Sequence, residues 1–399
     1  MKVLALAGYD SFFNAARLIA PYFEKLGATV DYALVKARRR KQISHEQLNE
    51  LGLGNKVQYV DIKDYCESGE ILKFDIVLSC LEGLSTRRLF HYLSSYGERR
   101  PYVICVYPGL ILRYDYDGFA ARAPADQLWL NCQRDLDNYT KMCEAYEVDA
   151  SNSRLFGNVS LLEKIERTPN ASDTGPIVFF EQAIIPRYYV ERKYLVDKLC
   201  DLASRHPRRR FLVKARAAGS KATLHRSWYP IEDLFDEKIR LEGSIPSNIS
   251  LTEQSAGQLL AEAAHCITVS STVAIEAIHA NVPTTIVRDF GAHDDYGLQY
   301  FYGSGLLKSL SEIQIGKHLK VDENWLSKYT CSPYSNLSLI DSVKKDYKRK
   351  RDIQSSLRCQ IGQELQEEIS SYGQEYILSR KYMSKENWLS RLMRNLKKI

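Results

Sequence analysis

At 399 residues, with 45% hydrophobic and 26% charged content, the chain has the makeup of a globular protein long enough for two cores. The net charge of +6 is modest and unevenly placed, and no apolar run nears the ~20 residues that cross a bilayer, so a membrane-spanning helix is not expected. Nine scattered cysteines, an odd number with no CxxC pair, exclude a disulfide framework and a structural zinc site, and predict buried free thiols in a reducing cytosol.

Residues 2–7 predict a first strand, with no secretory signal, and Ser11 is placed to cap a helix from Phe12 to Leu26. Gly27 ends that helix. Thr29–Val35, Val57–Asp61, Phe74–Cys80, Tyr102–Tyr107 and Gln127–Asn131 follow as strands, with helices over Leu84–Tyr96 and Arg134–Tyr146. Strands apolar on both faces, alternating with helices, predict a parallel sheet covered on both sides.

Residues 166–175 read as a polar linker, after which the pattern restarts. Pro176–Glu181 is a strand, Glu191–Ser204 a helix and Arg210–Lys214 a strand; residues 238–241 and 249–251 are short strand candidates. Ser255–Ala264 predicts a helix. Then come a buried strand from His265, the turn Ser270-Ser271-Thr272, a short helix carrying Glu276, and a strand over Thr284–Arg288. From about Val343 the chain reads as helical and strongly charged. The expected fold class is α/β, two Rossmann-like doubly wound domains over 1–165 and 175–335, with C-terminal helices over 336–399.

Open parallel sheets bind ligands outside the carboxyl ends of their strands. In the second half those positions hold Glu181 and Gln182, Lys214 and Arg216, and Ser270, Ser271 and Thr272, with His225 in the loop beyond Lys214. Hydroxyls at a helix start, two cations, a histidine and the carboxylate of Glu276 suit a nucleotide: phosphate on the turn and on Lys214 or Arg216, ribose on Glu276. In the first half they hold Asp10, Glu82-Gly83 and the segment from Pro108 to Gly118. A carboxylate there can serve as general base for a hydroxyl acceptor; Glu82 comes first, then Asp117, then Asp10. His206-Pro207 precedes its strand and reads as a turn, and Asp294-Asp295 as solvated loop carboxylates. The sequence has no GxGxxG after the first strand, no GxxxxGK[ST] and no GxSxG.

Tyr107-Pro-Gly109, Ala125-Asp126-Gln-Leu-Trp-Leu, Gly157 and Ser270-Ser271-Thr272…Glu276…Pro283 resemble GT-B glycosyltransferases over roughly residues 1–330. The last element is similar to the Ser/Thr-Ser/Thr element of bacterial sialyltransferases and capsule-type Kdo transferases, which grips the phosphate of a CMP-sugar. Glu82-Gly83 resembles part of their Asp/Glu-Asp/Glu-Gly base element. Position 81 is Leu rather than acidic, and Lys214-Ala-Arg216 stands where that family has His-Pro.

The resemblance implies an inverting, metal-independent transferase that moves a sialic acid-like nonulosonate or Kdo from CMP onto a glycan or glycolipid in cell-surface polysaccharide or lipopolysaccharide synthesis. It needs no cofactor beyond the nucleotide-sugar. In that scheme Glu82 or Asp117 takes the acceptor proton, while Lys214, Arg216 and the Ser270 turn stabilise the leaving phosphate. A UDP- or GDP-sugar transferase, a nucleotide-sugar epimerase and a polyol-phosphate transferase are the alternatives on the same architecture. Leu389, Leu392, Met393 and Leu396 fall on one face of a basic C-terminal helix, so a cytoplasmic enzyme peripheral to an anionic inner-membrane surface is expected. The basic runs lack the interleaved aromatics of nucleic-acid readers.

Overall fold

The computed structural model describes residues 1–36, 43, 48–49, 52–112, 115–215, 227–291 and 294–348. Among these residues the strands form two parallel sheets. The first holds β1 (Lys2–Ala7), β2 (Thr29–Val35), β3 (Val57–Val60), β4 (Ile76–Cys80), β5 (Tyr102–Val106), β6 (Gln127–Leu130) and β7 (Ser153–Leu155), in the order β3-β2-β1-β4-β5-β6-β7. The second holds β8 (Ile177–Phe180), β9 (Phe211–Lys214), β10 (Ile249–Thr252), β11 (His265–Thr268), β12 (Thr284–Val287) and β13 (Leu307–Lys308), ordered β10-β9-β8-β11-β12-β13. Each sheet reverses direction once, between β1 and β4 and between β8 and β11, as in doubly wound folds. These are two Rossmann-like halves in the GT-B class.

Period-2 side chains give each sheet two cores. Leu4 and Leu6 enter one layer while Val3, Ala5 and Ala7 enter the other. In the second sheet Ile177 and Phe179 face one way, Val178 and Phe180 the other. The helices that matter below are α1 (Asp10–Lys25), α2 (Gly83–Leu93), α3 (Asp115–Arg122), α4 (Gln133–Ala145), α5 (Tyr189–Arg205), α6 (Ile231–Glu242), α7 (Ala256–Glu262), α8 (Val273–His279) and α9 (Ser338–Asp346).

Several local expectations change. Residues 238–241 lie inside α6 rather than in a strand. The hydrophobic stripe Ile231, Leu234, Phe235 at helical spacing decides this, and all three are buried. Ser11 lies inside α1, whose N-cap is Tyr9. β7 and β13 escape sequence reading because they are three and two residues long. The linker is not a loose tether: Arg167 Nη1 donates to the carbonyls of Leu260 and Ala263, both at 2.6 Å, pinning it to the end of α7. His206 ends α5 and begins the turn into β9, as expected.

The chain returns to the first half near its end. Asn158 N–H donates to Cys331 O at 2.9 Å, and Cys331 N–H to Asn158 Oδ1 at 3.1 Å. Ile340 and Val343 of α9 then bury themselves in the first half's core. Residues 349–399, including the basic amphipathic end, lie outside the described residues. The crossing depends on Gly157, at φ +117°, where a Cβ would stand 2.7 Å from Cys331 O and Pro333 N. Gly157→Ala is expected to lower stability by at least about 1–3 kcal/mol. A thermal melt should fall by several degrees, and an unchanged midpoint would mean the crossing yields freely.

Among the described residues no helix is long and apolar enough to cross a membrane, and no group of three or more His, Cys, Asp or Glu could hold a metal. The eight cysteines there are free thiols, seven of them buried.

Candidate active site

The two points where strand order reverses are where a doubly wound sheet opens a crevice. The sequence-selected residues lie at both. Gly8 to Asp10 and Leu81-Glu82 follow β1 and β4; Glu181-Gln182 and Val269 to Ser271 follow β8 and β11.

At the first crevice Glu82 caps α2. Its Oε1 accepts from Ser85 N–H at 3.3 Å and from the Ser85 hydroxyl. Its Oε2 is buried and has no hydrogen-bond partner among the described residues. That oxygen hangs over Gly8, where a Cβ would approach it to 3.0 Å. Glycine at position 8 therefore leaves room for the carboxylate at the crevice. Asp117 sits differently: its carboxylate is 47% exposed and accepts from Arg87 Nη2 at 2.6 Å. Asp10 is the first residue of α1, two places beyond Gly8.

At the second crevice Gln182 and Ser270 bridge the reversal. Ser270 N–H donates to Gln182 Oε1 at 2.8 Å, and Gln182 Nε2 donates to Ser270 Oγ at 3.3 Å. Ser270 is buried and its hydroxyl donates to Tyr296 O. Ser271 Oγ accepts from Val273 N–H at 3.4 Å. Thr272 precedes α8 without capping it; its Oγ1 accepts from Leu110 N–H of the first half at 3.2 Å. The three hydroxyls thus have three different partners rather than one shared direction. Glu276 lies in the first turn of α8, where its charge adds to burial in raising the Cys266 thiol.

Glu181 is buried in an ion pair with Arg192, whose Nη1 also donates to Pro186 O at 3.2 Å. Its partner Arg192 also reaches the Gln182 carbonyl, at 3.5 Å. Lys214 Nζ donates to Glu253 O at 3.0 Å, on the β10 side of β9 and away from Ser270. Arg216 and His225 lie outside the described residues. Asp295 pairs with Arg187 at 3.1 Å.

No sequence pattern pointed to the strap that joins the halves. In Leu110-Ile111-Leu112, alternate side chains go to opposite halves. Leu110 and Leu112 pack on the second half's core and Ile111 on the first half's. Gln299 Nε2 donates to Leu112 O at 3.1 Å, and Arg134 Nη1 to Ile111 O at 2.7 Å. Gly109 is needed here: a Cβ would stand 2.7 Å from Thr272 Oγ1. Behind the strap, burial pushes the Asp135 carboxyl up to about 6, with Arg134 pulling against that rise. Gln299 and Tyr296 gave no sequence signal, because each acts on residues far off in the chain; Arg192 gave none although its partners Glu181 and Pro186 are close in sequence.

A family model described as "Putative glycosyltransferase (DUF6716)" matches residues 3–345. No curated protein matches the sequence. Among solved structures, the S. aureus MnaA-UDP co-structure is similar at 11% identity and TM-score 0.58, over 87% of this chain and 96% of that one. A UDP-N-acetylglucosamine 2-epimerase matches at 13% identity and TM-score 0.54, over 88% and 98%. The UDP-GlcNAc 2-epimerase from Neisseria meningitidis bound to UDP-GlcNAc matches at 13% and 0.50, over 93% and 100%. At these identities the likeness is one of fold.

Proposed function

The chain belongs to the "Putative glycosyltransferase (DUF6716)" family, and on that premise we propose that it moves a sugar from a nucleotide donor to a hydroxyl acceptor by one inverting displacement, without a metal. The observation that carries the reading is that each half has its own crevice and that the 110–112 strap joins the halves at Thr272. One holds a buried carboxylate oxygen with no hydrogen-bond partner among the described residues; the other holds a turn rich in hydroxyls and amides; the 110–112 strap ties them together. An unsatisfied buried carboxylate oxygen is costly, and such groups commonly meet their partner when substrate binds.

In this reading the acceptor hydroxyl donates to Glu82 Oε2. Its oxygen forms a bond to the anomeric carbon as the bond from that carbon to the nucleotide phosphate breaks. The electron pair leaves with the phosphate and the proton goes to Glu82. The 270–272 turn meets the charge that grows on the phosphate; Lys214 joins it only by leaving the Glu253 carbonyl it now binds, and Arg216 and His225 lie outside the described residues. Glu276 takes the ribose, and Gln182 holds the turn. Asp117, bound to Arg87, supports the acceptor side.

The donor that the family resemblance implies is a CMP-linked nonulosonate or Kdo for an envelope glycan or glycolipid. The fold relatives whose names include a nucleotide name UDP. A panel of CMP, UDP and GDP decides between them. The true nucleotide at 100-fold over its Kd should stabilise the protein by about 2.7 kcal/mol and raise the melting midpoint accordingly. EDTA should leave both binding and turnover intact. No shift with any of the three would sink the proposal.

The second reading, a nucleotide-sugar 2-epimerase, is favoured by the near full-length overlay on proteins of that name. It predicts a new sugar product from UDP-N-acetylglucosamine alone, with no acceptor present.

A further inference from the structure

We propose that Arg122 is the positioning residue of the acceptor side: one buried guanidinium that ties its own helix α3, which bears Asp117, to the chain just before Glu82 and to the ring from which the interdomain strap departs. This inference rests on the glycosyl-transfer reading above.

Arg122 is 4% exposed, at the last turn of α3. A cation so placed must be satisfied from within, and its partners are a carbonyl one turn back in its own helix and two separate pieces of chain, after β4 and after β5. Nη2 donates to Leu81 O at 2.6 Å, the carbonyl directly before Glu82. Nη1 donates to Gly118 O at 2.9 Å, the carbonyl directly after Asp117. The guanidinium plane lies over the Tyr107 ring, 4.0 Å from its centroid. Tyr107 opens the segment that runs through Gly109 and Leu110 to Thr272.

The planar fork is what allows this. Arginine presents its donors in a fixed geometry, so two carbonyls bound at once fix each other's position. A lysine ammonium would reach one of them as a point charge. Stacking on a buried ring adds a desolvated cation–π contact along a third direction. The cavity is cut to the group: a Cβ on Gly118 would stand 3.0 Å from the Tyr107 hydroxyl and 3.7 Å from Arg122 Nη1. Its charge reaches deep, for it holds down the thiols of Cys80 and Cys105 and the Tyr107 phenol against the rise that burial imposes. Arg122 touches no reacting atom. It determines where Glu82 stands relative to the strap, and hence to the donor crevice.

The test compares wild type, Arg122→Met, Arg122→Lys and Gly118→Ala. The probes are CMP, UDP and GDP for binding, and CMP-sialic acid, UDP-N-acetylglucosamine and GDP-mannose for turnover, read as nucleotide release. A misplacement near 1 Å costs about 10²-fold in rate. Arg122→Met should therefore lose about 10²-fold in kcat, with nucleotide affinity and donor KM within about twofold of wild type. Arg122→Lys should recover part of the loss. Gly118→Ala, which keeps the charge but crowds the stack, should lose about tenfold; it decides the matter if Arg122→Met does not fold.

Turnover within threefold of wild type in a folded Arg122→Met or in Gly118→Ala overturns the inference. So does a loss of nucleotide affinity in step with turnover, which would mark general damage. Wild type that binds none of the nucleotides removes the functional reading, and with it the role of Arg122.

Discussion

Glu82→Gln should lower nucleotide release by about 10²–10⁴-fold while leaving nucleotide binding untouched, since a positioned general base contributes on that order. The substitution keeps the shape and the cap. Glu82 Oε1 accepts from Ser85 N–H, and an amide oxygen can still accept there. What is lost is the capacity of the second atom, over Gly8, to take a proton. Asp117→Asn is the internal control. Its carboxylate is half exposed and bound to Arg87, so the change should cost less than about tenfold. A reversed order, with Asp117→Asn the crippling variant, would move the base to α3 and leave Glu82 as a helix cap. Melting midpoints with and without nucleotide separate both outcomes from loss of fold.

The largest effect on stability is expected at Arg192→Met. Arg192 and Glu181 are 1% and 6% exposed and bind each other. Removing one partner strands a buried charge, which costs about 3–5 kcal/mol. For a cooperative unit the size of one half, that is a fall of roughly 6–20 °C in the melting midpoint. The Arg192→Met, Glu181→Leu double variant should recover most of the loss, because no uncompensated charge is left. Calorimetry of the single and double variants tests this. A single-variant loss below about 1 kcal/mol would show that Glu181 is solvated or protonated at little cost. Because Glu181 adjoins Gln182, which holds the Ser270 amide, the single variant should also weaken nucleotide binding. The double variant should restore that in part.

The fold was legible in the sequence because its determinants are local. Continuous apolar runs such as Tyr102–Val106, separated by amphipathic helices, allow little other than a covered parallel sheet. Glu82 and the Ser270–Thr272 turn were legible because post-strand positions in such sheets carry ligands, whatever the strand order. Residues 238–241 were misread because a four-residue window cannot tell a buried strand from one turn of helix.

Strand order and long-range contact decided the rest. That β1 neighbours β4 and β8 neighbours β11, so that Glu82 lies beside Gly8 and Ser270 beside Gln182, follows from packing of the whole sheet. The same holds for the partners of the three hydroxyls: Ser270 is spent on Tyr296 O and Thr272 on Leu110 N–H. Arg122 and Arg192 stand out in no sequence pattern, yet both are buried. A side chain's burial depends on what the rest of the chain lays over it. By itself, then, the sequence determined the two Rossmann-like halves and the kinds of residue at their strand ends. The tertiary structure alone decided which of those ends meet, because proximity between residues 74 to 162 positions apart is set by the packing of the sheets and not by any local pattern.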